Sequence, residues 1–219
     1  MTAPSLPHDI DRIPLNPREP LVVVDVDEVL AMFMRGFERF VGAHGYEMRI
    51  TRFALFQNIF RIEDGAVLDT QRGRELFDLF FETDAEHIDP APGAREGLAA
   101  LAAHGSVVIL TNAPAHGREA RSRWLIRNGF PYPLLINEGL KGPAVAALAA
   151  RTAGPVAFVD DLLPNLESVA QSAPQVARFQ MVADERLRQY APQAPDRHAR
   201  IDHWPRLSLA MIDALKVRG

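Results

Sequence analysis

The feature that most constrains this chain's fold is a set of apolar runs that each end in polar residues. The runs Leu21–Val24, Val107–Leu110 and Pro155–Val159 show no polar alternation, which is typical of strands buried on both faces of a parallel sheet. Stretches between them carry apolar residues at three- and four-residue steps, which predicts helices. Strands that alternate with helices indicate right-handed crossovers. The sequence therefore predicts an α/β fold with a parallel sheet.

Short polar segments follow these runs in a fixed order. They are Asp25-Val26-Asp27, Thr111-Asn112, Leu140-Lys141-Gly142 and Asp160-Asp161. In an open parallel sheet, residues at the carboxyl ends of the strands face one crevice. Crowded carboxylates are costly, and a divalent metal ion is the usual relief. Several carboxylates, one hydroxyl and one ammonium group in one crevice suit phosphoryl transfer.

Asp25 and Asp27 are two positions apart, so both can enter the crevice where the strand ends. One carboxylate can attack phosphorus and become an aspartyl phosphate. Its neighbour can protonate the leaving oxygen and then deprotonate the water that clears the intermediate. The alternative interpretation is a strand-to-helix turn in which an aspartate caps the helix.

Thr111 and Asn112 can hold a phosphate oxygen through the hydroxyl and free main-chain N–H groups; alternatively they form an ordinary turn.

Lys141 opens an alanine-rich helical run. A cation there is mildly unfavourable, which suggests a purpose: a fixed ammonium group would balance a nucleophile and a transferring phosphoryl group. The alternative is a solvated surface lysine.

Asp160 and Asp161 end the series as a candidate metal-binding pair. The helix after them has its own proline, Pro164, which predicts that Asp160 is free to bind metal. Asp25, Asp160 and a main-chain carbonyl near Asp27 would form an oxygen-rich Mg²⁺ site with several waters. Asp161 would support the metal shell.

Composition and charge exclude several classes of function. The chain has 219 residues, a net charge of −4 and no cysteine, which excludes disulfides, zinc–thiolate sites and cysteine nucleophiles. Nothing indicates a nucleic-acid or membrane partner, and a cytoplasmic location is the default expectation. The basic stretch Arg118–Arg127 is interpreted as the solvated face of a helix. The oligomeric state stays open.

The four motifs in this order resemble those of the haloacid dehalogenase-like phosphohydrolase superfamily. The first motif, DxDx[TV][LV], is matched by residues 25–30, and the second, third and fourth by Thr111, Lys141 and Asp160-Asp161. The resemblance covers roughly residues 21–182. It implies a Rossmann-like parallel sheet core flanked by helices, a Mg²⁺ cofactor, Asp25 as nucleophile and Asp27 as acid/base. The substrate would be a small phosphorylated metabolite.

The resemblance also implies a cap inserted between the first two motifs, where 83 residues separate Asp27 from Thr111. Nine of the twelve phenylalanines lie between positions 33 and 81, so they are expected to form the interior of this segment. Apolar spacing predicts helices over 30–41, 53–60 and 72–81 and no convincing strand. We therefore predict a small α-helical cap with its own packed interior.

The expected organisation has three parts. Residues 1–20, with five prolines, form an irregular arm; 21–29 and 89–219 form the core; 30–88 form the cap. A last strand is predicted near 176–182 and a terminal helix over Leu207–Val217. Arg35, on the first cap helix, is a candidate substrate contact.

Two residues of the first motif bear on the activity. Dehalogenases of this superfamily lack the second aspartate, so Asp27 favours phosphate esters. The superfamily usually has glycine where this chain has Glu28, which is expected to point outward or to add charge near the entrance. Nucleotidase-like members resemble this form. A phosphotransferase or mutase, and a catalytically silent binding module, remain the alternatives.

Overall fold

The computed structural model describes residues 6–216, so predictions for residues 1–5 and 217–219, including Val217 of the terminal helix, lie outside the described residues. The strands are β1 (Leu21–Val24), β2 (Tyr46–Met48), β3 (Ile59–Arg61), β4 (Ser106–Thr111), β5 (Leu134–Ile136), β6 (Val156–Asp160), β7 (Ala177–Gln180) and β8 (Ala199–Arg200). The α-helices are α1 (Phe33–Ala43), α2 (Thr70–Thr83), α3 (Ala94–Ala102), α4 (Arg118–Arg127), α5 (Gly142–Ala149), α6 (Leu163–Ser172), α7 (Glu185–Arg188) and α8 (Trp204–Lys216).

The main sheet confirms the predicted α/β fold. Its six strands are all parallel and lie in the order β5-β4-β1-β6-β7-β8. Val24, the last residue of β1, pairs with Ile109 of β4 and Val159 of β6. The three strands therefore end side by side. The candidate residues that follow them share one edge of the sheet.

Alternating side chains of β1 supply both faces of the sheet, as the strand period requires. Val22 and Val24 are fully buried in one apolar cluster with residues of α3, α4 and α8. Leu21 and Val23 are buried in a second cluster with residues of α5 and α6. The continuous apolar run thus reflects a strand covered on both sides.

The segment between β1 and α3 is not purely helical, so the expectation of no strand is wrong. It holds α1, α2 and the antiparallel pair β2–β3. The helix predicted over 53–60 is also wrong, because this stretch contains a short 3₁₀ helix, Phe56–Asn58, and then β3. The buried side chain of Asn58 hydrogen-bonds to main-chain atoms of the preceding loop. Such bonds compete with helix formation.

The phenylalanines of this segment pack against one another, but their interior is not separate from that of the sheet. Phe37 lies 5.2 Å from Phe80 and 5.7 Å from Phe33 between ring centroids. The same apolar cluster continues into Val24 of β1 and Trp124 of α4. The expectation of an independent packed interior is therefore wrong, because the rings extend the core over one face of the sheet.

The N-terminal stretch 6–20 contains one short 3₁₀ helix, Ile10–Arg12. Ile10 and Ile13 are buried in the cluster formed by α5 and α6. The guanidinium of Arg151 donates hydrogen bonds to the carbonyl oxygens of both isoleucines. These contacts anchor the stretch to the core. Within residues 6–216, no helix combines the length and apolar character needed to cross a membrane.

Two helices approach closely at the start of α5, which begins directly after Lys141. A Cβ on Gly142 would lie 2.4 Å from the carbonyl oxygen of Ser168 in α6. The N–H of Gly142 donates to the Ser168 hydroxyl at 3.2 Å. A glycine is required here because a larger residue would push the two helices apart.

We expect Gly142→Ala to lower the free energy of unfolding by about 1–3 kcal/mol, because the backbone of α6 must move to admit the methyl group. The matched control is Gly42→Ala in α1, where an added Cβ would meet nothing within 4 Å. That change should be neutral or stabilise by up to about 1 kcal/mol. Urea unfolding of both variants is the measurement, and equal effects would contradict the close approach.

Candidate active site

The amino group of Lys141 joins the ends of two strands. Its Nζ lies 2.5 Å from an oxygen of Asp25 and 2.7 Å from an oxygen of Asp160. All three side chains are almost completely buried. The sequence-based expectation that these residues converge is confirmed, and the alternative of a solvated surface lysine is wrong for Lys141.

Burial and neighbouring charges shift the pKa values of Asp25 and Lys141. Burial raises the pKa of Asp25 to about 7; Lys141 opposes that rise, while Asp160 and Asp27 add to it. Burial alone would lower the pKa of Lys141, but attraction to Asp160 and Asp25 outweighs it and raises the pKa. Lys141 therefore stays charged, and Asp25 depends on a nearby positive charge to stay ionised at neutral pH.

Asp160 is more tightly engaged than the sequence indicated. One of its oxygens accepts from the N–H of Leu162 at 2.8 Å, and the Asn165 side-chain amide donates to both oxygens at 3.0 and 3.2 Å. The expectation that Pro164 leaves Asp160 without bonds to the start of α6 is wrong, but Asp160 still belongs to the group of carboxylates that could hold a metal ion. Asn165 is a site residue that sequence reasoning missed. Its position in the first turn of a helix after an acidic pair is the available signal.

Asp161 lines the cavity at this edge of the sheet. One carboxylate oxygen from each of Asp25, Asp160 and Asp161 lies within 4.8 Å of the other two. Burial, together with repulsion from Asp160 and Asp25, raises the pKa of Asp161. Three buried carboxyl groups at this spacing form a donor set that fits a hard divalent cation such as Mg²⁺. The side chain of Asp27 lies outside this group, so a metal contact from Asp27 stays a prediction.

Thr111 and Asn112 occupy the end of β4. The Thr111 hydroxyl is fully buried and has no hydrogen-bond partner within the described residues. Because an unpaired buried hydroxyl is costly, this atom suits an anionic ligand in the cavity that Thr111 lines. The Asn112 side chain instead donates to the carbonyl of Gly139 at 2.8 Å and accepts from Asn137 at 2.9 Å. Its predicted phosphate contact stays a prediction.

The carboxylate of Asp27 is held by Arg121, a residue that sequence reasoning missed. Arg121 Nη2 lies 2.7 and 2.9 Å from the two carboxylate oxygens. Its guanidinium carbon also lies 5.1 Å from the ring centroid of Phe81. Arg121 is fully buried, so the interpretation of Arg118–Arg127 as a solvated face is wrong at this position. The signal that was missed is the spacing: Arg121 lies three positions before the buried Trp124, so both side chains are on the same face of the helix.

Glu28 points inward, so the expectation that it points outward is wrong. It lines the cavity, and its expected charge near the entrance stays a prediction. Its backbone φ is +57°, the left-handed conformation that explains why glycine is usual at this place. Its carboxylate accepts from the N–H groups of Met34 at 2.8 Å and Asp184 at 2.9 Å. Burial raises its pKa to about 7, against the opposing effect of these two N–H groups. Glu28 ties the start of α1 to the loop before α7.

Arg35 is not brought into the cavity. Its guanidinium lies 2.5 Å from Glu185 and 3.4 Å from Asp184, and Arg35 is not among the residues that line the cavity beside Asp25. The structure therefore does not support the predicted substrate contact for Arg35. These contacts instead join α1 to α7.

The cavity has a volume of about 220 Å³. Its polar lining consists of Asp25, Asp27, Glu28, Thr111, Asn112, Lys141, Asp161 and Asn165. Residues from the ends of β1, β4 and β6 thus meet in one space. The arrangement can place a nucleophilic carboxylate, a fixed cation and an unpaired hydroxyl donor around one anionic group.

Comparison with solved structures identifies the fold. A hydrolase from Deinococcus radiodurans R1, with bound phosphate and sodium, is 16% identical, covers 92% of this chain and 99% of its own, and has a TM-score of 0.60. The chain has the haloacid dehalogenase-like fold. An L-2-haloacid dehalogenase is 13% identical, and the match covers 89% of this chain and 99% of the dehalogenase, with a TM-score of 0.57. A putative beta-phosphoglucomutase from Thermotoga maritima is 15% identical, and the match covers 89% of this chain and 98% of the mutase, with a TM-score of 0.52.

No protein-family model and no curated protein matches the chain. The identities to the solved structures are low, so the likeness establishes the haloacid dehalogenase-like fold and leaves the reaction open.

We expect a double-mutant cycle of Asp27→Asn and Arg121→Met to give a favourable coupling energy of about 1–3 kcal/mol in the free energy of unfolding, because the pair is largely shielded from water. The control is the pair Arg123 and Glu86, where Arg123 lies on the same helix and is 55% exposed. Its coupling should stay below about 1 kcal/mol. Equal coupling in the two cycles would contradict a special role for Arg121.

We expect Glu28→Gly to destabilise the protein by roughly 1–5 kcal/mol. Relief of the left-handed backbone gains about 1–2 kcal/mol, but two hydrogen bonds to a charged group are lost, each worth about 1.5–3 kcal/mol. Urea unfolding measures the change. A variant at least as stable as the parent would contradict this, because relief of backbone strain would then equal or exceed the loss of the two hydrogen bonds.

Proposed function

We propose that this protein is a Mg²⁺-dependent phosphatase of the haloacid dehalogenase-like superfamily, and that it hydrolyses a small phosphorylated metabolite through an aspartyl-phosphate intermediate on Asp25. The observation that carries the proposal is the contact of Lys141 Nζ with Asp25 at 2.5 Å, in a cavity also lined by Thr111, whose buried hydroxyl has no hydrogen-bond partner among the described residues. A nucleophile, a charge-balancing cation and an oxygen-binding donor therefore surround one space.

The residues that would hold Mg²⁺ are Asp25, Asp161 and Asp160, whose oxygens already lie close together. When bound, the ion would supply positive charge that keeps Asp25 ionised and offsets the charge of a phosphate dianion. The cavity is lined by four acidic side chains and one lysine, and this excess of negative charge supports the need for a bound cation.

In the first step, an oxygen of Asp25 attacks phosphorus, the bond from phosphorus to the ester oxygen breaks, and Asp27 gives a proton to that oxygen. In the second step, water attacks the aspartyl phosphate and gives a proton to Asp27. Inorganic phosphate leaves, and the Asp25 carboxylate is restored. Lys141 balances the negative charge in both steps, and Thr111 donates to a phosphate oxygen.

Arg121 contributes to this cycle through Asp27. After Asp27 has given up its proton, its carboxylate is negative in a cavity lined by other carboxyl groups. The ion pair with Arg121, at 2.7 Å, stabilises that state. Asp27 is thereby held in position for the water that must be deprotonated next.

Asp27 also supports ester hydrolysis over dehalogenation. A halide leaving group needs no proton, so a dehalogenase gains nothing from a second acidic group, whereas an ester oxygen needs one. The complete set of Asp25, Asp27, Thr111, Lys141 and Asp161 opposes a catalytically silent binding module. A cytoplasmic location stays a prediction from the sequence.

A phosphotransferase or mutase is the second candidate, because a putative beta-phosphoglucomutase shares the fold with a TM-score of 0.52. The two reactions differ in what receives the phosphoryl group. Reaction in ¹⁸O-labelled water separates them: a phosphatase places one label in inorganic phosphate, whereas transfer to a substrate hydroxyl yields a new ester without label.

We expect purified protein to hydrolyse 4-nitrophenyl phosphate with Mg²⁺ and to stop when the metal is removed by a chelator. Asp25→Asn should lower kcat by roughly 10³-fold or more, because the amide cannot act as the nucleophile. Phosphate release is the measurement.

The control is Asp213→Asn on α8, where the Asp213 side chain is 75% exposed, and its activity should equal that of the parent. Activity that survives Asp25→Asn would contradict the covalent mechanism. Activity that survives the chelator would contradict the need for metal.

A further inference from the structure

One wall of the cavity is apolar and is built from separate parts of the chain. Phe33 and Met34 come from the start of α1, and residues 53–55 from the loop between β2 and β3. Leu162, after β6, and Leu187, in α7, complete the wall. These side chains lie in the same cavity as the carboxylates of the polar lining. A phosphate held by Lys141 and Thr111 would therefore direct the rest of its ester along an apolar surface.

The loop that carries Phe53 and Leu55 is fixed from inside. Asn58 is fully buried and accepts from the N–H of Thr51 at 3.0 Å. Its amide nitrogen donates to the carbonyls of Arg52 at 2.9 Å and Ala54 at 2.7 Å. Every polar atom of this side chain is thus used to hold the loop. The loop therefore presents a preformed surface to the cavity.

The charges of the cavity restrict the kind of ester further. Among the described residues that line it, Lys141 is the only cation, whereas Asp25, Asp27, Glu28 and Asp161 are acidic. Lys141 is already shared between Asp25 and Asp160. A second anionic group on the substrate would meet repulsion and no free cation.

Resting on the phosphatase activity proposed above, we propose that the site selects monophosphate esters of neutral alcohols with an apolar or aromatic skeleton, and that Phe53 and Leu55 are the specificity-determining residues. Asn58 acts as the positioning residue for both. The reaction consumes water and releases the alcohol and inorganic phosphate. An enzyme that oxidises or conjugates an apolar alcohol is the class of reaction that would use the product.

The test compares benzyl phosphate with 4-carboxybenzyl phosphate, which share a skeleton and differ by one carboxylate. With Mg²⁺ present, kcat/KM for benzyl phosphate should be at least about tenfold higher. Acetyl phosphate, which is too small to cover the apolar wall, serves as the reference substrate.

Phe53→Ala and Leu55→Ala should each lower kcat/KM for benzyl phosphate by roughly 10- to 100-fold, mainly through KM, because lost apolar contact weakens binding. Their activity on acetyl phosphate should change by less than about twofold. Asn58→Ala should likewise lower kcat/KM for benzyl phosphate and change the activity on acetyl phosphate by less than about twofold. If that variant fails to fold, the two loop variants still decide the question.

Leu55→Arg should narrow the difference between the two benzyl esters or reverse it, because it adds a cation for the carboxylate to meet. The matched control is Ile62→Arg, beside β3, where Ile62 is 60% exposed and does not line the cavity. That variant should keep the parent's preference.

The outcomes separate this inference from the proposed function. Equal rates on the two benzyl esters, or losses at Leu55→Ala that fall equally on acetyl phosphate, would overturn the inference and leave the phosphatase standing. No phosphate release from any of the three compounds would overturn the proposed function and the inference with it.

Discussion

The buried bridge from Lys141 to Asp25 and Asp160 is the interaction on which the rest of the site depends. Taking three charged groups out of water is costly, and their attraction repays that cost only with short distances and further hydrogen bonds. Here Nζ lies 2.5 and 2.7 Å from the two carboxylates, and Asn165 and the N–H of Leu162 satisfy Asp160. The bridge fixes the ends of β1 and β6 and the start of α5 relative to one another.

The fold and the residues of the central bridge could be predicted from the sequence because both depend on local order. Apolar runs without alternation predicted strands, and their parallel arrangement placed Asp25, Thr111 and Asp160 at one edge. Lys141 could be placed because it begins a helix that follows the second motif. These inferences need only the periodicity of the chain and the geometry of a parallel sheet.

The parts that could not be predicted depend on contacts between residues distant in sequence. Arg121 lies 94 positions from Asp27, and its spacing to Trp124 could indicate a buried position on the helix but not the carboxylate it binds. Glu28 is held by Asp184, 156 positions away, so its inward direction could not be read from its neighbours. The helical spacing of the phenylalanines before β3 predicts a helix, whereas the hydrogen bonds that Asn58 makes to this stretch form only in the folded loop.

The position of Phe81 has a consequence for the modularity of this protein. The Phe81 ring lies against Arg121, at 5.1 Å from the centroid to the guanidinium carbon, and an added Cβ on Gly117 would meet it at 2.6 Å. The Trp124 indole also donates to the carbonyl of Ile88 at 2.7 Å. Residues 30–88 and the sheet domain therefore pack against each other through complementary surfaces. A chimera that exchanged this segment for another would also have to match the surface around Gly117 and Trp124.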